Sequence, residues 1–275
     1  MSRITPSLAV THVRIDGESV SCDRRADRVA GEEPLELRVG GTTITTTMRT
    51  PGHDVELAHG FLLSEGIIAT RDDVAEARYC AGATGPQGTN TYNVLDVTLA
   101  PHTRAPGPEF IRTTATTSAC GVCGSTSIDH VMSRAAGRVT PLPLDPHLVA
   151  RLPDMLREHQ QGFRRTGGLH AAGAFSTAGD ALVVREDIGR HNAADKVIGA
   201  LLAADAVPAH NRILVMSSRA SFELVQKAAM AGFGALVAVS AASSLAVDLA
   251  RELGLTLIGF ARGDRFNLYS GELTD

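Results

Sequence analysis

The chain has 275 residues, of which 44% are hydrophobic, and its formal net charge is −4 at pH 7. This length suffices for one large domain or two modest ones, and the acidic balance argues against a general nucleic-acid or membrane-surface binder, which needs a basic excess. No apolar stretch approaches the roughly 20 residues of a membrane span, and residues 1–17 show no apolar run typical of a secretory signal. We therefore expect a cytoplasmic protein with neither nucleic acid nor membrane among its partners.

The first half of the chain has the pattern of a β-rich domain with one strong helix. Its β-branched residues predict a hairpin of Pro34–Val39 and Thr42–Met48, joined at two glycines. Apolar residues at helical spacing predict a helix over Asp54–Glu65. Asn93–Leu99 alternates like a further strand.

A Cys-Gly-Val-Cys-Gly pentapeptide at residues 120–124 carries the clearest chemical signal. Because no hydrophobic period runs through residues 113–127, the sequence predicts a loop there. Cys120 and Cys123 stand three positions apart, so both thiols can reach one sulfur or one metal atom. In a cytosolic protein such thiols stay reduced, which indicates catalytic, redox or metal-binding chemistry and not a structural disulfide.

Zinc is the less favoured of these options, and we expect no bound metal. A structural zinc site usually needs four ligands, whereas this chain has only one close cysteine pair. A zinc deaminase would place its H-x-E sequence before the cysteine pair. Here His170 follows the cysteines and is itself followed by two alanines.

The second half of the chain predicts an α/β sheet. Near-continuous apolar strands alternate with amphipathic helices, which is typical of parallel βαβ units that are covered on both faces. The predicted helices cover about residues 146–160, 192–203, 222–230 and 245–253. The predicted strands are a hairpin of Ala171–Thr177 and Ala181–Arg185, then Arg212–Ser217, Ala235–Ser240 and Leu255–Phe260.

Polar residues follow each of the last three strands. Right-handed crossovers bring the carboxyl ends of parallel strands to one edge, where ligands of open α/β sheets bind and helix N-termini attract anions. The alternative is that the serines only cap helices. No P-loop or GxGxxG sequence is present, which disfavours an ATPase or a Rossmann dehydrogenase. The residues concerned are Ser217, Ser218 and Arg219 after the first strand, Ser240 to Ser244 after the second, and Phe260, Ala261, Arg262, Gly263, Asp264 and Arg265 after the third.

A charge-dense segment, Arg185–Asn192, follows the hairpin, and His170 precedes it. Such groups can act as acids, bases or ligand-orienting residues. Alternatively, Asp187 or Asn192 caps the next helix and the other charges are solvated.

These motifs together resemble the formate dehydrogenase accessory protein (FdhD/NarQ) family. The resemblance is collinear from about residue 30 to about residue 271. It rests on TPGHD at 50–54, ELAHGFLLSEG at 56–66, CGVCG at 120–124, GGLH at 167–170, REDIGRHN at 185–192 with Asp195 and Lys196, SSR at 217–219 and GFARG at 259–263.

The resemblance implies a sulfurtransferase. Members of the family take sulfur from a cysteine desulfurase as a cysteine persulfide. They pass it to Mo-bis(molybdopterin guanine dinucleotide), the cofactor of formate dehydrogenase, and typically form homodimers. The implied fold is α/β: residues 141–275 form a cytidine-deaminase-like domain with a three-layer mixed sheet that binds the cofactor, and residues 1–140 form a smaller β-rich α+β domain that ends in the cysteine loop.

The resemblance also implies residue roles. Cys120 is the expected persulfide carrier and Cys123 its partner. Residues 260–265 are expected to line the guanine dinucleotide site, so that GDP or GMP binds as a fragment of the cofactor. Asp264 stands where some relatives carry a basic residue.

Two other functions remain open on the sequence alone. The first is a cofactor-binding chaperone in which the cysteines only tether or sense, and the second is a deaminase-like protein that binds free guanine nucleotides for regulation. The chaperone would still activate formate dehydrogenase without its thiols, and the regulatory protein would bind nucleotide without any acceptor enzyme.

Overall fold

The computed structural model describes residues 3–80, 90–107, 110, 135 and 139–274. The predicted cysteine loop, with Cys120 and Cys123, lies outside the described residues.

The N-terminal half contains a free-standing hairpin and a four-stranded sheet. The hairpin of β1 (Ser7–Asp16) and β2 (Ser19–Arg28) is almost fully exposed. In the sheet the strand order is β4-β3-β6-β5, with β3 parallel to β6 and the outer pairs antiparallel. The elements are β3 (Glu33–Val39), β4 (Thr42–Arg49), α1 (Asp54–Ser64), a short 3-10 helix (Arg71–Asp73), β5 (Val74–Tyr79) and β6 (Val94–Leu99). The predicted hairpin, helix and strand are thereby confirmed.

The C-terminal half forms a six-stranded mixed sheet of order β12-β11-β10-β9-β7-β8. The three strands predicted to be parallel are parallel, and β12 closes the sheet as an antiparallel edge strand. The elements are α2 (Pro146–His159), α3 (Gln161–Thr166), β7 (His170–Ser176), β8 (Ala181–Asp187), α4 (Arg190–Ala203), β9 (Arg212–Met216), α5 (Phe222–Met230), β10 (Ala235–Ala238), α6 (Ser244–Leu253), β11 (Thr256–Arg262) and β12 (Arg265–Ser270).

The alternation of side chains along the central strands creates the three layers. In β9, Ile213 and Val215 pack with Leu152 and other apolar residues of α2 on one face. Leu214 and Met216 point to the opposite face, where α4, α5 and α6 pack. Because both faces are covered, the central strands are buried along almost their whole length, and this explains their near-continuous apolar sequence. The predicted α/β fold with a three-layer mixed sheet is therefore present.

The two sheets are joined through the crossing of α1 and α4. A Cβ atom added at Gly199 of α4 would lie 1.8 Å from the carbonyl oxygen of Glu56 in α1, so the two backbones touch. One continuous hydrophobic cluster includes side chains from both sheets and both helices. The division into domains at residues 1–140 and 141–275 stays a prediction.

Candidate functional site

The carboxyl edge of the six-stranded sheet is held together by backbone hydrogen bonds that continue beyond the strands. The amide of Ser240 donates to the carbonyl of Ser218 at 3.3 Å, and the amide of Phe260 donates to the carbonyl of Ser240 at 3.0 Å. The hydroxyl of Ser217 accepts a 2.8 Å hydrogen bond from the amide of Ala171 in β7. The polar segments that follow β9, β10 and β11 therefore lie side by side, as predicted, and main-chain hydrogen bonds hold them together.

A β-bulge in β11 turns Phe260 out of the sheet. Gly259 pairs with Asn267 and Arg262 pairs with Arg265, so β11 has one more residue than β12 between these pairs. Phe260 has a φ of +52°, which is unusual for a residue with a Cβ atom, and the residue is 46% exposed. At Gly259 an added Cβ would lie only 3.0 Å from the carbonyl oxygen of Ser240, so glycine permits this close approach.

A cleft of about 710 Å³ opens beside the bulge, between the sheet edge and the α2–α3 segment. Its volume is in the range of small-molecule and cofactor sites. From the sheet edge it is lined by His170, Ser217, Val239, Ser240, Phe260, Ala261, Arg262, Gly263 and Arg265. From the helical side it is lined by Pro153, Asp154, Leu156, Arg157, Gln160, Phe163, Gly167, Gly168 and Leu169.

The cleft is rich in arginine. Within the described part of the chain, Arg157, Arg262 and Arg265 form no ion pair, and Arg157 lies over the ring of Phe163 at 5.8 Å. Guanidinium groups without a carboxylate partner are suited to bind phosphate through paired hydrogen bonds.

Gln160 adds a buried polar group to the cleft. It lies at the junction of α2 and α3 and is only 6% exposed. Its side-chain amide has no hydrogen-bond partner among the residues that the structure describes. Its amide atoms are not among the fully buried unpaired polar atoms, so they keep contact with the open cleft and are available to a ligand there. Asp154 supplies an acidic group to the same wall.

Comparison with known proteins shows to which family the chain belongs. The family model for the FdhD/NarQ family matches residues 30–274. The chain belongs to the FdhD/NarQ family. It is 54% identical to the sulfur carrier protein FdhD of Corynebacterium efficiens over 99% of this chain and 100% of that protein. It is 55% identical to the sulfur carrier protein FdhD of Nocardia farcinica over 98% and 94% of the two chains.

A solved structure has the same fold. The protein from Desulfotalea psychrophila is described as a formate dehydrogenase accessory protein, and its crystal structure aligns with a TM-score of 0.70. The match covers 96% of this chain and 97% of the other at 23% identity, so it supports the fold. Within the described residues, no helix is both long and apolar enough to cross a membrane.

Seven of the residues predicted at the three strand ends line the cleft, whereas Ser218, Arg219, Asp264 and residues 241–244 do not. Ser217, Ser240, Phe260, Ala261, Arg262, Gly263 and Arg265 line it. Ser218 is buried, with its hydroxyl donating to the carbonyl of Arg219. Arg219 lies near the N-termini of α4 and α5, and Asp264 lies in the exposed turn between β11 and β12. Ser243 caps α6, as the alternative interpretation of the serines held.

The family motif at residues 185–192 is largely structural. The carboxylate of Asp187 accepts hydrogen bonds from the amides of Thr50 and Gly189, and it pairs with Lys196 at 2.7 Å. Asp195 pairs with Lys227, also at 2.7 Å, and both pairs are buried. These pairs tie α4 to the rest of the core. Within residues 185–192, the alternative that the other charges are solvated does not hold for Arg185, which pairs with Glu56 at 2.6 Å.

Sequence reasoning missed the helical wall of the cleft. The polar residues Asp154, Arg157 and Gln160 lie on α2 and its junction with α3, and Phe163 lies on α3. The helix itself was predicted, but its periodicity does not show that its last two turns face the sheet edge. In the described residues, no group of three His, Cys, Asp or Glu side chains is arranged to hold a metal ion.

Proposed function

We propose that this protein is a sulfur carrier that supplies sulfur to Mo-bis(molybdopterin guanine dinucleotide) for formate dehydrogenase. The observation that carries the proposal is the similarity, over nearly the whole chain, to relatives named sulfur carrier protein FdhD. The CGVCG sequence and the arginine-rich cleft support it, because a close pair of thiols can carry persulfide sulfur and arginines without carboxylate partners are suited to bind phosphate.

The proposed reaction is a sulfurtransferase step with a persulfide on Cys120. The Cys120 thiolate attacks the outer sulfur of the persulfide on a cysteine desulfurase. An S–S bond forms on Cys120 as the desulfurase cysteine leaves as a thiolate, so no external oxidant is needed. The carrier acts in the cytoplasm, where its thiols stay reduced.

Delivery to the cofactor then uses Cys123. The Cys123 thiolate attacks the inner sulfur of the Cys120 persulfide, and a Cys120–Cys123 disulfide forms as hydrosulfide leaves. The hydrosulfide is the sulfur that the cofactor receives as cargo, and a thiol reductant later restores both thiols.

The cleft is the proposed site for the guanine dinucleotide part of the cofactor, with GDP or GMP as fragment ligands. Arg262 and Arg265 flank the turn between β11 and β12 and would bind the phosphates, and the exposed ring of Phe260 would stack on the base. The carboxylate of Asp154 suits the N–H groups of guanine, and the amide of Gln160 suits its oxygen. We further propose a homodimer as the working form.

Activation of formate dehydrogenase in cells that lack their own accessory protein tests the carrier function. Cys120→Ala should abolish activation, whereas Cys22→Ala and Cys80→Ala serve as matched controls and should retain it. Full activation by the Cys120→Ala, Cys123→Ala double variant would contradict a sulfur carrier and would support a cofactor-binding chaperone.

A further inference from the structure

A second group of cations lies at the same sheet edge but outside the lining of the cleft. Arg190 is the first residue of α4, and Arg219 stands three residues before the start of α5. The two helices meet here, because His191 Nε2 lies 3.3 Å from the hydroxyl of Ser221 and 3.7 Å from the carboxylate of Glu223.

Charge in this group is unbalanced. Burial and the charge of Arg219 lower the pKa of Arg190, while Glu223 raises it. His191 adds no positive charge near neutral pH, because burial, Lys227 and Arg190 lower its pKa to about 3. Lys227 is neutralised by Asp195. Among the described residues of this group, the positive charges of Arg190 and Arg219 are therefore opposed only by the single carboxylate of Glu223.

The Arg190 guanidinium also has an unsatisfied hydrogen-bond donor. Its Nε atom is buried and has no hydrogen-bond partner among the residues that the structure describes. In addition, positive side chains at a helix N-terminus oppose the helix dipole, so this arrangement is unfavourable for stability alone. A bound oxyanion would satisfy the buried donor, balance the two arginines and interact favourably with both helix N-termini.

We propose that Arg190 and Arg219 form an oxyanion site of the phosphate class, separate from the nucleotide cleft. His170 lies between the two sites. It lines the cleft, and it is also close enough to Arg190 to feel that charge: burial and then Arg190 lower the pKa of His170, whereas Asp187 raises it. On the proposed function, this position suits a phosphate of the large cofactor beyond the nucleotide held in the cleft. Free phosphate has the same chemistry, so the test must distinguish the two sources.

The experiment is a phosphorus NMR titration of the full chain with inorganic phosphate, followed by calorimetric titration with GMP. Phosphate should bind in the presence of saturating GMP. Arg190→Gln and Arg219→Gln should each weaken phosphate binding at least about tenfold and change GMP binding less than about twofold. Arg14→Gln, on the exposed β1–β2 hairpin, changes the net charge equally and should alter neither affinity. Circular dichroism verifies that each variant is folded.

Two outcomes overturn the inference. One is that the parent protein does not bind phosphate, or that both arginine variants bind it as tightly as the parent. The other is competition between GMP and phosphate together with weaker GMP binding by the arginine variants, since the arginines would then serve the nucleotide's own phosphate. Loss of GMP binding in Arg262→Gln with phosphate binding intact supports two separate sites. Failure of the parent to bind GMP would instead contradict the proposed cleft and leave phosphate binding as the test of the second site.

Discussion

Gly60 in α1 packs directly against the backbone of Asp195 in α4. A Cβ atom added at Gly60 would lie 1.9 Å from the carbonyl oxygen of Asp195, a distance that neither backbone can accommodate without moving. The same α4 residue holds the buried Lys227 ammonium through its carboxylate, so this crossing sets the position of α4 against the rest of the core.

Gly60→Ala should therefore destabilise the protein, although alanine favours helices by about 1 kcal/mol over glycine. Overpacking against rigid backbone typically costs about 1–3 kcal/mol, and the severity of this contact places Gly60→Ala at the upper end. Denaturant unfolding would measure the change. Val55→Ala, at an exposed position of the same helix, is the control and should alter the free energy of unfolding by less than about 0.5 kcal/mol. Equal stability of Gly60→Ala and the parent would refute this close helix contact.

Arg262 and Gln160 should contribute separately to nucleotide binding. Arg262→Gln removes a charge-assisted hydrogen bond worth about 1.5–3 kcal/mol, so GDP should bind about ten- to a hundredfold more weakly. Gln160→Leu removes an uncharged hydrogen bond to the guanine base, so the loss of affinity should be of similar size for GMP and GDP. Calorimetry with both nucleotides would measure this, with Arg164→Gln, an exposed arginine that does not line the cleft, as the control. Unchanged GDP affinity in Arg262→Gln would place the nucleotide elsewhere.

Substitutions of Phe260 should affect stability and nucleotide affinity in different ways. Its left-handed φ of +52° costs about 1–2 kcal/mol for any residue with a Cβ atom, whereas glycine adopts it freely. Phe260→Gly should thus be more stable than Phe260→Ala by about 1 kcal/mol in denaturant unfolding. Both variants should bind GDP more weakly by about 1–3 kcal/mol, because both lose the stacking ring. If Phe260→Ala retains the parent affinity for GDP, the ring does not contact the base.

The ion pair of Glu56 with Arg185 should make stability depend on pH in acid. Burial raises the pKa of Glu56, but hydrogen bonds from Arg185 and His53 outweigh this and lower the pKa to about 2. Because the folded-state pKa lies below the unfolded value, the pair stabilises the protein above about pH 4.5, and this contribution disappears as pH falls toward 2. The difference in stability between the parent and Glu56→Gln should be about 1 kcal/mol at pH 7 and should shrink steadily below pH 4.5. A difference that stays constant from pH 7 to pH 3 would contradict this assignment.

The central sheet was predictable because β9, β10 and β11 are buried on both faces and consist almost entirely of apolar residues. The sequence did not reveal β1 and β2, since that hairpin is exposed and has no buried face that would impose an alternating apolar pattern. It also did not reveal β12, whose polar residues face solvent at the sheet edge.

The sequence predicted one wall of the candidate site but not its details. The strand ends supplied one wall of the cleft, because parallel strands must present their carboxyl ends together. The bulge at Phe260 could not be foreseen, since phenylalanine rarely adopts a positive φ. Nor could the placement of Arg219 away from the cleft, because it depends on the contact between His191 and Ser221, which joins segments 30 residues apart.

Peptide mass spectrometry after incubation with a cysteine desulfurase and cysteine, without reductant, shows directly whether this chain carries sulfur. We predict an added mass of one sulfur, about 32 Da, on the peptide that contains Cys120 and Cys123, removed by a thiol reductant. The added mass should be absent from Cys120→Ala and unchanged in Cys80→Ala. Sulfur found only on Cys22 or Cys80, or no added mass while the desulfurase turns over cysteine, would contradict the proposal that this chain carries sulfur on its CGVCG sequence.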